Sequence, residues 1–239
     1  LHKEYRRQRQ MCIRDRSMME GGGRDASGQS NNITLGGYGG THWGRLNLRM
    51  GASYTWNMLA LTRTVAFAGF GNTLSSHYNG GTAQGFGELG YRFHARGVLL
   101  EPFGNVAYVN QGTSHFREHG GVAALLGKAT DAGVALTTFG VRASSSFRAY
   151  GMWVTPHAML GYRHTFGQRV ATTHETFAIG SGAYSMDVAG IALSPDVAVM
   201  DAGLGMALTD RVEIGLSYMG QYGGLFTSNG AHGRVTFRF

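Results

Sequence analysis

Apolar and polar residues alternate, position by position, along one segment after another of this chain, and that period of two leaves few folds open. Over residues 45–56 the set Leu46, Leu48, Met50, Ala52, Tyr54 and Trp56 opposes Arg45, Asn47, Arg49, Gly51, Ser53 and Thr55. The division recurs over 88–93, 200–206 and 212–218. Successive side chains of a strand point to opposite faces, so each segment reads as a strand with one apolar and one polar side. The last instance ends the sequence: Ala231, Gly233, Val235, Phe237 and Phe239 interleave with His232, Arg234, Thr236 and Arg238. An apolar stripe opposite a cationic one suits either an edge strand of a soluble β-sandwich or a wall between lipid and a watery lumen.

Composition separates these two. The chain has 39 Gly, 13 Phe and 11 Tyr but only 3 Pro, 15% charged residues and a mean hydropathy of −0.15. A membrane barrel averages its lipid and lumen faces to a near-neutral hydropathy, so this value speaks against a helical membrane protein and not against a barrel. No stretch approaches the roughly 18 to 20 apolar residues of a transmembrane helix. The net charge of +7 is dispersed, which argues against a nucleic-acid partner. Cys12 is the single cysteine, so no disulfide framework or thiolate metal site is expected, as suits an oxidising compartment.

Residues 1–20 lack alternation, an apolar h-region and a cleavage pattern; they read as a non-native basic segment, with 21–31 a loop and 32–239 a partial barrel domain. Nine strands are expected at about 32–40, 44–57, 82–95, 97–110, 133–147, 150–166, 196–209, 211–222 and 228–239. Their connections alternate between very short turns and long Gly-, Ser-, Thr- and Asn-rich loops at 58–81, 111–132 and 167–195. That asymmetry matches the periplasmic and extracellular ends of an outer-membrane barrel. With strand direction so assigned, Tyr54, Trp56, Tyr108, Tyr162 and Tyr218 fall at outer ends and Tyr91, Phe93, Phe237 and Phe239 at inner ends, as two aromatic girdles. Nine strands cannot close antiparallel. Three more ahead of Asn32 would make twelve, and without them an open seam is expected between the strand at Ile33 and Leu35 and the terminal strand.

RTVAFAGF at 63–70, GTAQGFGELGYRF at 81–93, LEPFGNVAYV at 100–109, GYRHTF at 161–166, MDAGLGMAL at 200–208 and LSYMGQYG at 216–223 together resemble the C-terminal β-domain of bacterial autotransporters. The resemblance implies an all-β fold, an antiparallel transmembrane β-barrel of twelve strands, of which about nine are recognised here. It also implies a place in the bacterial outer membrane, and the anchoring and export of an N-terminal passenger domain by type V secretion. Its expected partners are outer-membrane lipid, the barrel assembly machinery and its own passenger, with a monomeric barrel. The ending at Val235, Phe237 and Phe239 resembles the family's assembly signal. The alternative is a stand-alone porin-like or adhesin barrel without a passenger.

Charges predicted to face the lumen are Arg45, Arg49, Glu88, Arg92, Glu101, Arg142, Arg163, Asp201, Glu213, Arg234 and Arg238. Buried charges require partners, so they are read as bracing and hydrating the wall, or as a polar conduit for an extended segment. Some autotransporters cut their passenger with lumenal acids, a role for which Glu88, Glu101 and Asp201 are candidates. Pro102 and Pro156 lie early in outward-running strands, where a lost ladder bond is most easily accepted. No catalytic motif, cofactor fingerprint or zinc-type His spacing is present. Ser75, Ser76, His77, His115, Glu118 and His119 fall in outer loops where a rim-type hydrolase would place its site. Such residues are common in solvated loops, and a non-enzyme is expected.

Overall fold

The computed structural model describes residues 9–20, 26–179, 184–209 and 211–237. Its strands are β1 (Arg9–Glu20), β2 (Ala26–Trp43), β3 (Leu46–Phe67), β4 (Phe70–Tyr91), β5 (Phe93–Ala95), β6 (Val98–Thr113), β7 (Phe116–Arg117) and β8 (Leu125–Gly127). They continue as β9 (Thr130–Ser144), β10 (Phe147–Ala149), β11 (Met152–Gly167), β12 (Thr172–Phe177), β13 (Ser185–Ala189), β14 (Asp196–Ala207), β15 (Val212–Gly223) and β16 (Thr227–Phe237). One antiparallel wall runs β1-β2-β3-β4-β6-β9-β11-β14-β15-β16, with β5 and β10 pairing beside it as continuations of β4 and β9. It is a curled half-barrel with β1 and β16 at its edges among the described residues.

The wall departs from the sequence expectation at its first edge. Residues 9–20, set aside as foreign, form a strand along β2, pairing Cys12 with Leu35 and Arg14 with Ile33 where an open seam was expected. Residues 26–31, expected as loop, belong to β2. A polar strand without alternation carries no periodic signal, and only a partner's free edge reveals it.

The inner turns are tight for a stereochemical reason. Arg96 and Gly97 have φ of 50° and 82°, and Tyr150 and Gly151 have 50° and 80°. Two consecutive residues at positive φ make the turn whose twist matches a two-residue hairpin, and glycine at its second position removes the steric cost.

Register fixes the two faces. Tyr54 lies opposite Leu35 and Ala83, Leu48 opposite Leu89, Leu160 opposite Val141 and Met200, and Leu216 opposite Leu204. This outward face is exposed and apolar: Phe139 is 63% and Leu160 67% accessible. An exposed apolar surface spread over a whole wall is far beyond what a soluble monomer carries, and it is the face a bilayer covers. Two of its tyrosines bridge strands. The Tyr54 ring lies across Gly81 and the Tyr108 ring across Gly133, so that a Cβ on either glycine would collide with the hydroxyl. Each tyrosine thus packs diagonally on the next strand, covering backbone that glycine leaves bare. Pro102 and Pro156 are the fifth residues of β6 and β11 and share this outward face.

The long outer connections carry strands of their own. β3 and β4 run on to a two-residue turn, with Phe67 opposite Phe70. The other two connections contribute β7, β8, β12 and β13, which join in a second sheet of order β13-β12-β8-β7.

Candidate functional site: a charged inner face and a latched outer sheet

Two rungs of the ladder, either side of the one through Phe103 and Gly140, gather most of the expected lumen charges. One runs Arg49, Glu88, Asn105, Thr138, Arg163 across β3, β4, β6, β9 and β11. The other carries Glu101 opposite Arg142 and continues through Met159 to Asp201. All these side chains share one face because the rungs differ by four residues, an even number, along each strand. Arg49 donates from Nη1 to Glu88 Oε1 at 2.5 Å and to Glu101 Oε1 at 2.6 Å. Arg142 grips Glu88 with two parallel bonds, at 2.7 and 2.8 Å, and reaches Glu101 at 3.2 Å. Arg92 Nε donates to Glu101 Oε2 at 2.7 Å. Arg49 to Glu101 and Arg142 to Glu88 each skip an intervening strand, as converging side chains do on a concave face.

The two carboxylates are buried, Glu88 at 8% and Glu101 at 5% accessible. Three guanidinium groups compensate the cost of taking them from water, and several charge-assisted bonds fix their orientation. The Arg142 guanidinium also stacks on Phe103, 3.7 Å from the ring centroid, an attraction the periodicity could not announce.

The remaining charges are placed less uniformly. Asp201 meets His157 Nε2 at 3.3 Å. Among the described residues, Arg163 donates to Thr138 and Gln221, both at 3.4 Å. Glu213 and Arg234 share the inward face of β15 and β16, Arg234 exposed. Arg45 is no wall charge: it sits with Gly44 in the turn between β2 and β3, exposed, because the hairpin closes one residue later than the polar pattern suggests. Val235 and Phe237 face outward, each 61% accessible. Arg238 and Phe239 lie outside the described residues.

Above the wall, the outer-loop residues weighed as a rim site are brought together, in a structural arrangement. Ser75 and His119 exchange backbone hydrogen bonds at 2.9 Å. Glu118, 8% accessible, accepts from Arg63 Nε at 2.7 Å and Nη2 at 2.6 Å, and also from the Leu125 amide at 2.9 Å. Arg63 further donates to the Ala123 carbonyl at 3.0 Å. The Glu118 hydrogen bond holds the Arg63 guanidinium above its ordinary value. Glu175 on β12 is pushed up, first by burial and then by the nearby Glu118 charge. Arg63 was not foreseen as a site residue, since it falls in a segment with no alternation and its partner is 55 residues away.

A family model described as "Autotransporter beta-domain" matches residues 14–219. The chain belongs to the autotransporter β-domain family. The β-domain is accordingly an outer-membrane translocator of Gram-negative bacteria. It is 31% and 30% identical over 218 residues to two proteins of Serratia marcescens, each named "Extracellular serine protease". The match covers 91% of this chain and 21% of each relative, so the β-domain spans about a fifth of their length. Among solved structures it resembles the transport unit of the autotransporter AIDA-I from Escherichia coli, with 12% identity, a TM-score of 0.33 and coverage of 94% of this chain and 88% of that one. It also resembles the beta domain of the Bordetella autotransporter Brka, with 12% identity, a TM-score of 0.28 and coverage of 97% and 98%. Family membership rests on the sequence match alone, both TM-scores being below 0.5.

Proposed function

We propose that this β-domain anchors a passenger at its N-terminal side and lets it pass along the charged concave face, taking no chemical part in the export. The observation that carries this reading is the saturation of the two buried carboxylates on that face. Glu88 is held by the guanidinium groups of Arg49 and Arg142, and Glu101 by those of Arg49, Arg92 and Arg142. A carboxylate so chelated neither abstracts a proton nor attacks a peptide carbonyl without breaking two or more charge-assisted bonds. A cluster that satisfies its own charges offers a transiting chain no strong binding site, which suits a conduit better than a receptor.

The expected assembly determinant is Val235, Phe237 and Phe239, read by the barrel assembly machinery as the apolar positions of the alternating C-terminal sequence. The working unit is a monomer, and the passenger carries whatever enzymatic activity the whole protein has. In the relatives that activity is named as a serine protease. The test is surface display. With a secretory signal and an epitope fused ahead of the chain, the epitope should become accessible to added protease on intact Gram-negative cells, and a Phe237→Asp, Phe239→Asp double variant should not display it. An epitope retained inside cells whose barrel is folded and inserted would overturn the export reading.

A further inference from the structure

We propose that the four-stranded outer sheet is a cap seated in the mouth of the barrel and latched there by Arg63 and Glu118, so that the pore is shut until the cap is displaced. The inference rests on the membrane-barrel reading and goes beyond it. Strand parity gives the side on which the cap sits. Glu88 points to the concave face, and Ser76 and Leu74 lie twelve and fourteen residues before it on the same unbroken strand, so they face the same way. Leu74 is 0% and Ser76 2% accessible. What buries them is therefore on the lumenal side of the β3–β4 hairpin.

Topology gives the span. β7 and β8 leave the wall between β6 and β9, whereas β12 and β13 leave it between β11 and β14. Leu125, Leu126 and Gly127 nonetheless pair with Phe177, Thr176 and Glu175. β9 and β11 are paired, so this ladder joins the outer connections of two adjacent hairpins, and, docked on the concave side of the β3–β4 hairpin, it leans in over the opening.

The contact is built to close. Tyr78 stacks on Phe116 at 5.0 Å between centroids, and Ala124 and Leu125 are buried beside the bidentate Arg63–Glu118 pair. Gly120, at φ 128°, lies so close to the Thr73 carbonyl that a Cβ there would strike it. Charge, stacking and a close backbone approach hold one joint, and it is the joint that displacement must break.

The test is conductance of the chain reconstituted in planar bilayers, with folding of every variant verified by the shift in gel migration on heating. Arg63→Ala should raise the open probability by at least about tenfold, the scale set by losing a bidentate charge-assisted pair. Gly120→Ala, which leaves the charges intact, should do the same by unseating the loop. Ser75 and His119 are a hydrogen-bonded antiparallel pair, whose spacing of about 5.5 Å falls within disulfide range. In a Cys12→Ser background, Ser75→Cys with His119→Cys should therefore suppress openings when oxidised and restore them when reduced. Equal open probability in the wild type, both single variants and the oxidised pair would overturn the cap. Failed surface display with an unchanged gating pattern would overturn the translocator reading and leave the cap standing.

Discussion

Glu101 shows how much one residue carries on the inner face. It is 5% accessible and serves Arg49, Arg92 and Arg142 together. Replacing it by glutamine keeps the volume, leaves Arg49 and Arg142 with Glu88 as their carboxylate and takes the Glu101 carboxylate from Arg92. Loss of one partner from a buried pair typically costs 3–5 kcal/mol. With arginines only partly buried, Glu101→Gln should cost about 3 kcal/mol, read from urea unfolding of the detergent-folded protein. Arg163 should behave differently, since its two long bonds go to neutral groups. Arg163→Gln should change stability by less than about 1 kcal/mol, because a half-buried cation without a carboxylate gains little from its site. Glu175 offers a pH test outside the membrane. Its folded value is raised, so it stabilises the cap while protonated, below the ordinary carboxylate value of 4.5, and that contribution is lost as pH rises through the raised value. Burial sets this first, then Glu118, which repels the charged form, against Arg63, which favours it. Glu175→Gln should hold the cap shut more firmly at neutral pH and flatten this part of the profile; channel openings measured between pH 4 and 8 would show no difference from wild type if Glu175 were solvated.

At the scale of the strand, glycine and tyrosine act as a pair. A Cβ at Gly81 would collide with the Tyr54 hydroxyl, whereas nothing lies within 4 Å of one at Gly87 on the same face of β4. Gly81→Ala should therefore slow the appearance of the heat-modifiable folded form, and Gly87→Ala should leave it unchanged or improve it by reducing unfolded-state freedom. A pulse-chase of membrane assembly separates the two. Faces of this kind were legible in the sequence, because lipid on one side and charge on the other impose a period of two on β3, β14 and β15. Above Trp56 that contrast ends: the inner side of the hairpin meets the outer sheet instead of the lumen, Leu59 and Leu61 turn inward where Asn57 and Thr55 had, and the ladder continues unannounced to Phe67. β7 and β8 are two and three residues long, too short for any periodicity to register. Their place depends on Arg63 meeting Glu118 across 55 residues, a contact only the fold creates. The lumen charges were legible as a face, while the division between the saturated cluster and Arg163 depends on register across five strands.

For the whole molecule, the decisive property is that its apolar surface lies outside and its charges inside, the reverse of a soluble domain of the same composition. Phe139, Leu160 and Leu216 are 63%, 67% and 66% accessible, while Glu88 and Glu101 are buried. A soluble sandwich would have to expose the first set to water, at about 25 cal/mol per Å² of apolar area. In a bilayer that penalty disappears, and the inner rungs keep access to water. Single cysteines in a Cys12→Ser background should therefore divide by parity along one strand. Met159→Cys on β11 and Ser217→Cys on β15 face the lumen and should react with a membrane-impermeant maleimide in intact outer membranes once the cap is opened by Arg63→Ala. Their neighbours Leu160→Cys and Leu216→Cys face lipid and should be labelled only by a lipid-soluble reagent. Reaction of all four with the impermeant reagent would mean that no bilayer covers the outer face. Protection of all four after the cap is opened would mean that the concave face holds no water, and the conduit would lose its physical basis.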